Sequence, residues 1–288
     1  MITHLFRLLR VSNWVKNIFV FVPLIFAEQL FVKTNFVITL MAAFAFSITS
    51  SIVYIINDVA DSEKDKLHPI KKYRPVASGV IKPKFAIILA VLLFFFLIPF
   101  LAQFRYGFSF ILVSYFLLNL LYTFFLKEIV IVDIICIASG FMLRVLGGAL
   151  VINVYISSWL ILTTLFLSLF LAIMKRKSEI ALLTNESNTR VVLKDYTLDF
   201  INQISSISAA GVIICYALYT VSERTIIIFG TENLVFTTIF FIFGVFRYMY
   251  IVYTQQRGEN TIEIIIKDAP MIINGLLYGV SIIYFVYF

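Results

Sequence analysis

Nine apolar runs follow one another along this chain with only short polar breaks, at roughly 18–32, 36–57, 85–103, 107–126, 129–151, 156–174, 198–221, 232–253 and 269–287. A helix needs about 20 mainly apolar residues to cross the hydrocarbon core of a bilayer. A soluble protein that buried nine such helices would need amphipathic faces, and these runs lack them. Composition agrees: with 61% hydrophobic, 17% aromatic and 14% charged residues, the chain has too little polar surface for a water-borne domain of 288 residues. The expected fold class is therefore all-α, a polytopic membrane bundle of nine transmembrane helices, the first of them short and expected to tilt or re-enter. No small-residue cleavage pattern follows Val20–Phe26, so the start, with Arg7, Arg10 and Lys16, reads as mature sequence rather than as a signal peptide.

The sequence contains no Pro- or Gly-rich linker and no low-complexity tract, so residues 1–288 read as one domain. The two longest polar loops, about 58–84 and 175–197, follow the second and sixth spans, which suggests two four-helix halves plus a ninth helix. Orientation follows from the basic residues, since cytoplasmic loops accumulate lysine and arginine. One side, which holds the amino terminus and the loops after spans two, four, six and eight, carries 18 of the 23. The other side carries only Lys33, Arg105 and Arg224, while Arg144 and Arg247 fall inside spans. The amino terminus and both long loops are thus expected on the cytoplasmic face of a cell (inner) membrane. The net charge of +7 becomes a property of that face, suited to anionic headgroups or phosphorylated substrates, and is no sign of nucleic-acid binding. Cys136 and Cys215 both lie in spans and read as packing residues.

Chemistry concentrates in the first loop, which opens Asn57-Asp58-Val59-Ala60-Asp61-Ser62-Glu63-Lys64-Asp65 straight after an apolar run. If the helix continues past the membrane surface, Asp58, Asp61 and Asp65 stand three and four apart and line one face. Like charges so placed repel unless a cation joins them, and carboxylates with open water positions suit Mg²⁺, whose shell substrate phosphate oxygens complete. The plainer alternative is a solvated helix end. A stiffened cationic stretch follows, His68-Pro69-Ile70-Lys71-Lys72-Tyr73-Arg74-Pro75, whose Lys71, Lys72 and Arg74 can hold phosphate groups or serve simply as positive-inside anchors; His68 reads as structural.

The second loop repeats the theme, with Lys175, Arg176, Lys177 and Glu179 at the exit of the sixth span, then Arg190, Lys194, Asp195 and Asp199 before and into the seventh. Asp195 and Asp199 are one helical turn apart in sequence. They can share a second metal or the same diphosphate from the opposite half, or serve only as favourable charges at a helix start. Within the spans an ion is costly and should face the bundle interior. Asp133 and Arg144 are eleven residues apart, roughly 16 Å along a helix, too far to pair directly. Arg144 is then either structural glue or a substrate contact, and Asn119 and Tyr122 are further residues that can reach a cavity.

Taken together, these motifs resemble a known family. Asn57-Asp58-x-x-Asp61-x-x-x-Asp65 is similar to the first aspartate motif of the UbiA-type intramembrane prenyltransferases, with Asp195–Asp199 in the place of the second, and the likeness runs through all nine spans. More narrowly, Ser12-Asn13-Trp14-Val15-Lys16-Asn17, the stretch His68 to Gly79, Arg144 with Gly147-Gly148-Ala149, Lys175-Arg176-x-x-Glu179 and Arg247-Tyr248 resemble decaprenyl-phosphate phosphoribosyltransferases. That resemblance implies a UbiA-like fold, Mg²⁺ held by Asp58, Asp61, Asp65, Asp195 and Asp199, and a catalytic set of Asn57, Asp58, Asp61 and Asp65. It implies substrate contacts at Lys16, Asn17, Lys71, Lys72, Arg74, Tyr122, Arg144, Lys175, Arg176, Lys194, Asp195 and Asp199. The implied donor is phosphoribosyl pyrophosphate and the acceptor a polyprenyl phosphate; three phosphate-bearing groups in one site would account for the many cations. Oligomeric state stays open, a homo-oligomer included. Prenyl transfer to an aromatic or quinone-precursor acceptor is the alternative within the fold. A transporter is the alternative outside it, disfavoured because the carboxylates cluster at one membrane edge and not near the midplane.

Overall fold

The structure, a computed structural model, describes residues 2–67, 70–181, 195–255, 264 and 267–288. Regular secondary structure among the described residues is entirely helical. In chain order it comprises α1 (Ile2–Leu8), a 3₁₀ segment (Val11–Phe21) running into α2 (Val22–Phe26), α3 (Lys33–Ala60), α4 (Ser62–Lys66), a 3₁₀ turn (Lys71–Tyr73), α5 (Pro83–Leu101) and α6 (Tyr106–Phe124). There follow a 3₁₀ turn (Leu126–Glu128), α7 (Val132–Ile152), α8 (Ser158–Ala181), α9 (Leu198–Thr220), α10 (Glu223–Phe229), a 3₁₀ turn (Asn233–Thr237), α11 (Thr238–Gln255) and α12 (Ala269–Tyr287). Eight helices are long and apolar enough to cross a bilayer, and they fall on the eight full-length runs of the sequence. Large apolar side chains on them remain exposed, Phe95 at 63% and Leu92 at 61%, as lipid contact permits and water does not.

The first apolar segment differs from expectation. It occupies Val11–Phe26 rather than 18–32, so Lys16 and Asn17 lie within it. Because most of it is 3₁₀, with a rise of about 2.0 Å per residue against 1.5 Å for an α-helix, it reaches about 30 Å, close to the thickness of a hydrocarbon core. A long 3₁₀ run is uncommon, and its reason here is register. Trp14, Asn17 and Val20 repeat every third residue and so share one row. Trp14 Nε1 donates to Ser51 Oγ (3.0 Å) and Asn17 Nδ2 to Ser47 Oγ (2.7 Å). Three 3₁₀ residues and four α-helical residues both rise about 6 Å, so the row stays in step with α3. It stays in step with α7 as well: Asn17 meets Arg144, and four residues on, Gly148 lies against the backbone of Val20.

The chain forms two compact units. The first comprises Met1–Cys136 and Gly140–Tyr155, the second Ile137–Ser139 and the described chain from Ile156 onward. The division follows the fifth span and does not produce the two four-helix halves expected from loop lengths. In the first unit Phe46 of α3 packs edge-on against Phe108 (5.8 Å between centroids) and Tyr115 (5.4 Å) of α6. In the second, α8 and α9 pack closely where Gly211 lies against the Phe166 ring, and Phe170 meets Tyr248 of α11 at 5.7 Å.

Candidate active site

The acidic motif sits where α3 ends. Asp61 takes φ −92°, ψ 3°, breaking the helix between Ala60 and Ser62, although Asp61 N still donates to Asn57 O (2.9 Å) and Asp65 N to Asp61 O (2.8 Å). The three carboxylates therefore do not act as one row on an unbroken helix. Asp58 pairs with Arg10, and Arg74 Nη1 lies 3.3 Å from the same Asp58 oxygen and 2.6 Å from Asp65 Oδ2. Asp61 turns elsewhere and receives Lys127 Nζ at 2.7 and 2.9 Å. Asp58 is 1% and Asp65 4% exposed, which excludes a solvated helix end. Buried carboxylates need partners, and each has one. Burial draws the Arg74 guanidinium below its ordinary pKa and neighbouring Arg10 acts in the same direction, while Asp58 and Asp65 oppose both.

Arg74 Nη1 thus occupies a point reached by carboxylate oxygens from both sides, the place a small cation would take. The donors are hard oxygens, the chemistry Mg²⁺ prefers, so the side chains of Asp58 and Asp65 fit such an ion in kind. Among the described residues no three acidic, His or Cys side chains already converge on one metal position. Lys71 and Lys72 stand on the 3₁₀ turn just before Arg74, whose N donates to Lys71 O (2.9 Å). His68, read as structural, lies outside the described residues.

Arg144 now has its partners. Nε donates to Asn17 Oδ1 (2.7 Å), Nη2 to Tyr115 Oη (2.8 Å) and Nη1 to Gly140 O (2.8 Å), and the guanidinium lies 4.6 Å from the Tyr115 ring centroid. At 5% exposure, with Asn17 at 3%, this is a buried tie between the 3₁₀ segment, α6 and α7. Lys16, on the same segment, is half-buried. Asn119 bonds back to Tyr115 O on its own helix (2.8 Å), and Tyr122 is half-buried near the end of α6.

In the second unit α8 runs through to Ala181, so Lys175, Arg176, Lys177 and Glu179 belong to a helix and not to a loop. Arg176 is completely buried and pairs with Glu179, and Lys175 is half-buried. Asp199 lies in the first turn of α9, capped by Thr197 Oγ1, which accepts from Phe200 N (3.2 Å). Asp195 precedes the helix, so the two acids are not stacked one turn apart as their spacing suggested; both are exposed. Lys194 and Arg190 lie outside the described residues. Arg10 and Lys127, which hold Asp58 and Asp61, went unassigned at the sequence level, where each counted only as a positive-inside charge. The usable signal was that a buried carboxylate cluster must draw a cation for each member.

A helical membrane protein with Asp58 and Asp65 buried and Asp61 half-buried at and just beyond the end of one span, each matched by a cation, defines a class, the polytopic membrane proteins with a charged site built at one end of a span. Residues 17–264 match the UbiA prenyltransferase family, and the chain belongs to that family and is a transferase. It is 31% identical over 218 residues to the decaprenyl-phosphate phosphoribosyltransferase of Mycobacterium tuberculosis, covering 74% of this chain and 72% of that protein. To the Corynebacterium glutamicum protein of the same name it is 34% identical over 218 residues, 74% of this chain and 66% of the other. Among solved structures, a UbiA homolog from Archaeoglobus fulgidus bound to GPP and Mg²⁺ superposes with a TM-score of 0.72 over 98% of this chain and 99% of its own, at 17% identity, which establishes the shared fold.

Proposed function

We propose that this protein transfers a 5-phosphoribosyl group from phosphoribosyl pyrophosphate to a membrane polyprenyl phosphate, releasing diphosphate, with Mg²⁺ as cofactor. The observation that carries the reading is the likeness to two phosphoribosyltransferases across about three quarters of the chain, 74% in each case. The geometry of the first unit supports it. Three acids, Asp58, Asp61 and Asp65, face Arg10, Arg74 and Lys127, while Lys16, Lys71 and Lys72 stand on the neighbouring segments, a surplus of positive charge suited to several phosphates.

Asp58 and Asp65 would hold the metal, which when bound stabilises negative charge on the departing diphosphate. Arg74, displaced from between them, would turn to that diphosphate, with Lys71 and Lys72 beside it. Arg10 and Lys127, released from Asp58 and Asp61, would take further phosphate oxygens. The bond from ribose C1 to the diphosphate oxygen breaks with oxocarbenium character at C1, and a lipid phosphate oxygen forms the new bond. That oxygen is already ionised at neutral pH, so no general base is required, and positioning with preorganised charge supplies the rate. Arg144, tied to Asn17 and Tyr115, would act by fixing the segment that carries Lys16. In the second unit, Lys175 and Arg176 would contribute positive charge, and Asp195 and Asp199 would bind metal. The family match runs across both units, which supports reading residues 1–288 as one catalytic domain. The excess of basic residues on one side supports a cytoplasmic amino terminus and active-site face in the cell membrane.

The test is incubation of detergent-purified protein with Mg²⁺, a polyprenyl phosphate and phosphoribosyl pyrophosphate labelled in the ribose, followed by lipid extraction. Label should enter the lipid with wild type and not with Asp58→Asn or Asp65→Asn. Absence of lipid label, with a labelled prenyl diphosphate instead joined to an aromatic acceptor, would overturn the reading in favour of prenyl transfer.

A further inference from the structure

Away from the acidic motif, the second unit contains a cation, Lys177, with no charged partner among the described residues. Lys177, near the end of α8, donates from Nζ to Asn202 Oδ1 of α9 (2.6 Å), and its ammonium lies over the ring of Tyr253 on α11. Tyr253 Oη donates to the same Asn202 oxygen (3.1 Å) and lies 3.2 Å from Ser205 Oγ. Its hydrogen-bond and ring partners among the described residues are thus neutral. The carboxylate two residues on, Glu179, pairs with Arg176 instead. The carbonyl end of α8 offers about half a charge, screened within a turn, and does not balance a full ammonium. Lys177 is half-buried, so part of its hydration is already lost.

The surroundings say what form the missing anion takes. Ile239, Phe243, Phe246, Tyr250 and Tyr253 are all exposed and recur every three or four residues, so one face of α11 is an apolar, aromatic track that ends at the Lys177 cluster. A hydrocarbon chain lies along such a face, and a tyrosine at its end is the usual mark of the headgroup level. Ammonium, amide and phenol together match a single phosphate better than a carboxylate-bearing or multiply charged ligand, and basic sites between spans bind lipid headgroups in this way. We propose that Lys177, Asn202 and Tyr253 form a docking site for the phosphate headgroup of an anionic membrane lipid, whose hydrocarbon chain follows the exposed face of α11. Asn202 accepts from Lys177 and from Tyr253 at once, which leaves its amide N–H groups and the remaining ammonium hydrogens to face a phosphate. The site lies outside the acidic motif and does not depend on the reaction proposed above.

The experiment is native mass spectrometry of delipidated full-length protein in a neutral detergent, titrated with phosphatidylglycerol, with phosphatidylcholine and inorganic phosphate as separate probes. Wild type should bind phosphatidylglycerol about tenfold more tightly than Lys177→Met, a difference near 1.4 kcal/mol. Lys177→Arg should retain most of the affinity, and Asn202→Ala should lose part of it. Phosphatidylcholine should not distinguish wild type from Lys177→Met. Equal phosphatidylglycerol binding by wild type and Lys177→Met would overturn the site. Displacement of phosphatidylglycerol from wild type by millimolar inorganic phosphate would overturn its assignment to a lipid. Circular dichroism matched to wild type shows that each variant is folded.

Discussion

Substituting Gly148 by alanine tests the register that holds the amino-terminal segment. A Cβ at Gly148 would fall on the carbonyl oxygen of Val20, with the Val20 carbonyl carbon at 2.9 Å and Cα at 3.2 Å. Backbone cannot swing aside as a side-chain tip can, so the 3₁₀ segment must move away from α7 as a unit. Overpacking of this kind costs about 1–3 kcal/mol. A shift of about 1 Å would also stretch the bond from Arg144 Nε to Asn17 Oδ1, now 2.7 Å, beyond hydrogen-bonding range. Loss of a bond to a buried charge adds about 1.5–3 kcal/mol. Gly148→Ala should therefore destabilise the protein by about 3–5 kcal/mol, measured by unfolding in mixed dodecyl maltoside and SDS micelles. Gly275→Ala is the control, since nothing lies within 4 Å of a Cβ there and alanine is the better helix former. If the loss runs through Asn17, then Gly148→Ala and Asn17→Ala combined should cost clearly less than their sum. A Gly148→Ala protein within about 0.5 kcal/mol of wild type, or strict additivity with Asn17→Ala, would refute the register argument.

Three further outcomes follow from the ion pairs. If Arg74 occupies the metal position between Asp58 and Asp65, Arg74→Met should bind Mn²⁺ in the absence of substrate more tightly than wild type, by electron paramagnetic resonance, while losing transfer activity; equal Mn²⁺ affinity would show that the guanidinium does not compete with the ion. Removing the Glu179 charge from fully buried Arg176 in Glu179→Gln should cost on the order of 3 kcal/mol, and a loss below 1 kcal/mol in the same unfolding assay would show that Arg176 draws its compensation elsewhere. Asp268 accepts Arg247 Nε (3.1 Å) and Nη2 (2.9 Å) and caps α12 at Met271 N (3.0 Å), and the hydrogen bonds from Arg247 hold its pKa below the ordinary carboxylate value. A depressed carboxylate pKa stabilises the fold above the unfolded value of about 3.9 and loses that contribution as pH falls through the lower folded one. The stability gap between wild type and Asp268→Asn should therefore be constant from neutral pH to about 5 and close in stronger acid, and a gap that widens on acidification would reverse the assignment.

What could be read in the sequence was set by single-segment properties. Eight spans were legible because an apolar run of bilayer length has few other uses, and the acidic motif because Asp58, Asp61 and Asp65 stand directly at the end of one of them. The first segment was displaced by several residues because Lys16 and Asn17 look like the polar boundary of a span. Only the tertiary partners of Asn17, Ser47 thirty residues away and Arg144 far along the chain, make a polar residue acceptable inside one. Its 3₁₀ form was hidden for the same reason, since it answers to the spacing of α3 and α7 and not to a local preference. The break at Asp61 was likewise invisible to a rule that extends helices by periodicity, yet it sends Asp61 to Lys127 while Asp58 and Asp65 share Arg74. Arg10 and Lys127 carry no local mark that separates them from the other basic residues of the same face.

The pairing also bears on how a charged site persists at the edge of a bilayer. Asp58 and Asp65 are deeply buried, and removing one partner from a buried ion pair is far more costly than never having built it. Arg10, Arg74 and Lys127 therefore form part of the fold before they form part of any reaction. A donor that arrives as a metal diphosphate brings both the cation the aspartates need and the anion the basic residues need, so every pair can exchange without leaving an uncompensated charge. Metal without phosphate would strand Arg74, and phosphate without metal would strand Asp58 and Asp65. Under the proposed reaction, metal and donor should accordingly bind with positive coupling, each tightening the other by the same factor, as linkage requires. That coupling should fall towards zero in Arg74→Met, where the exchange has nothing left to release.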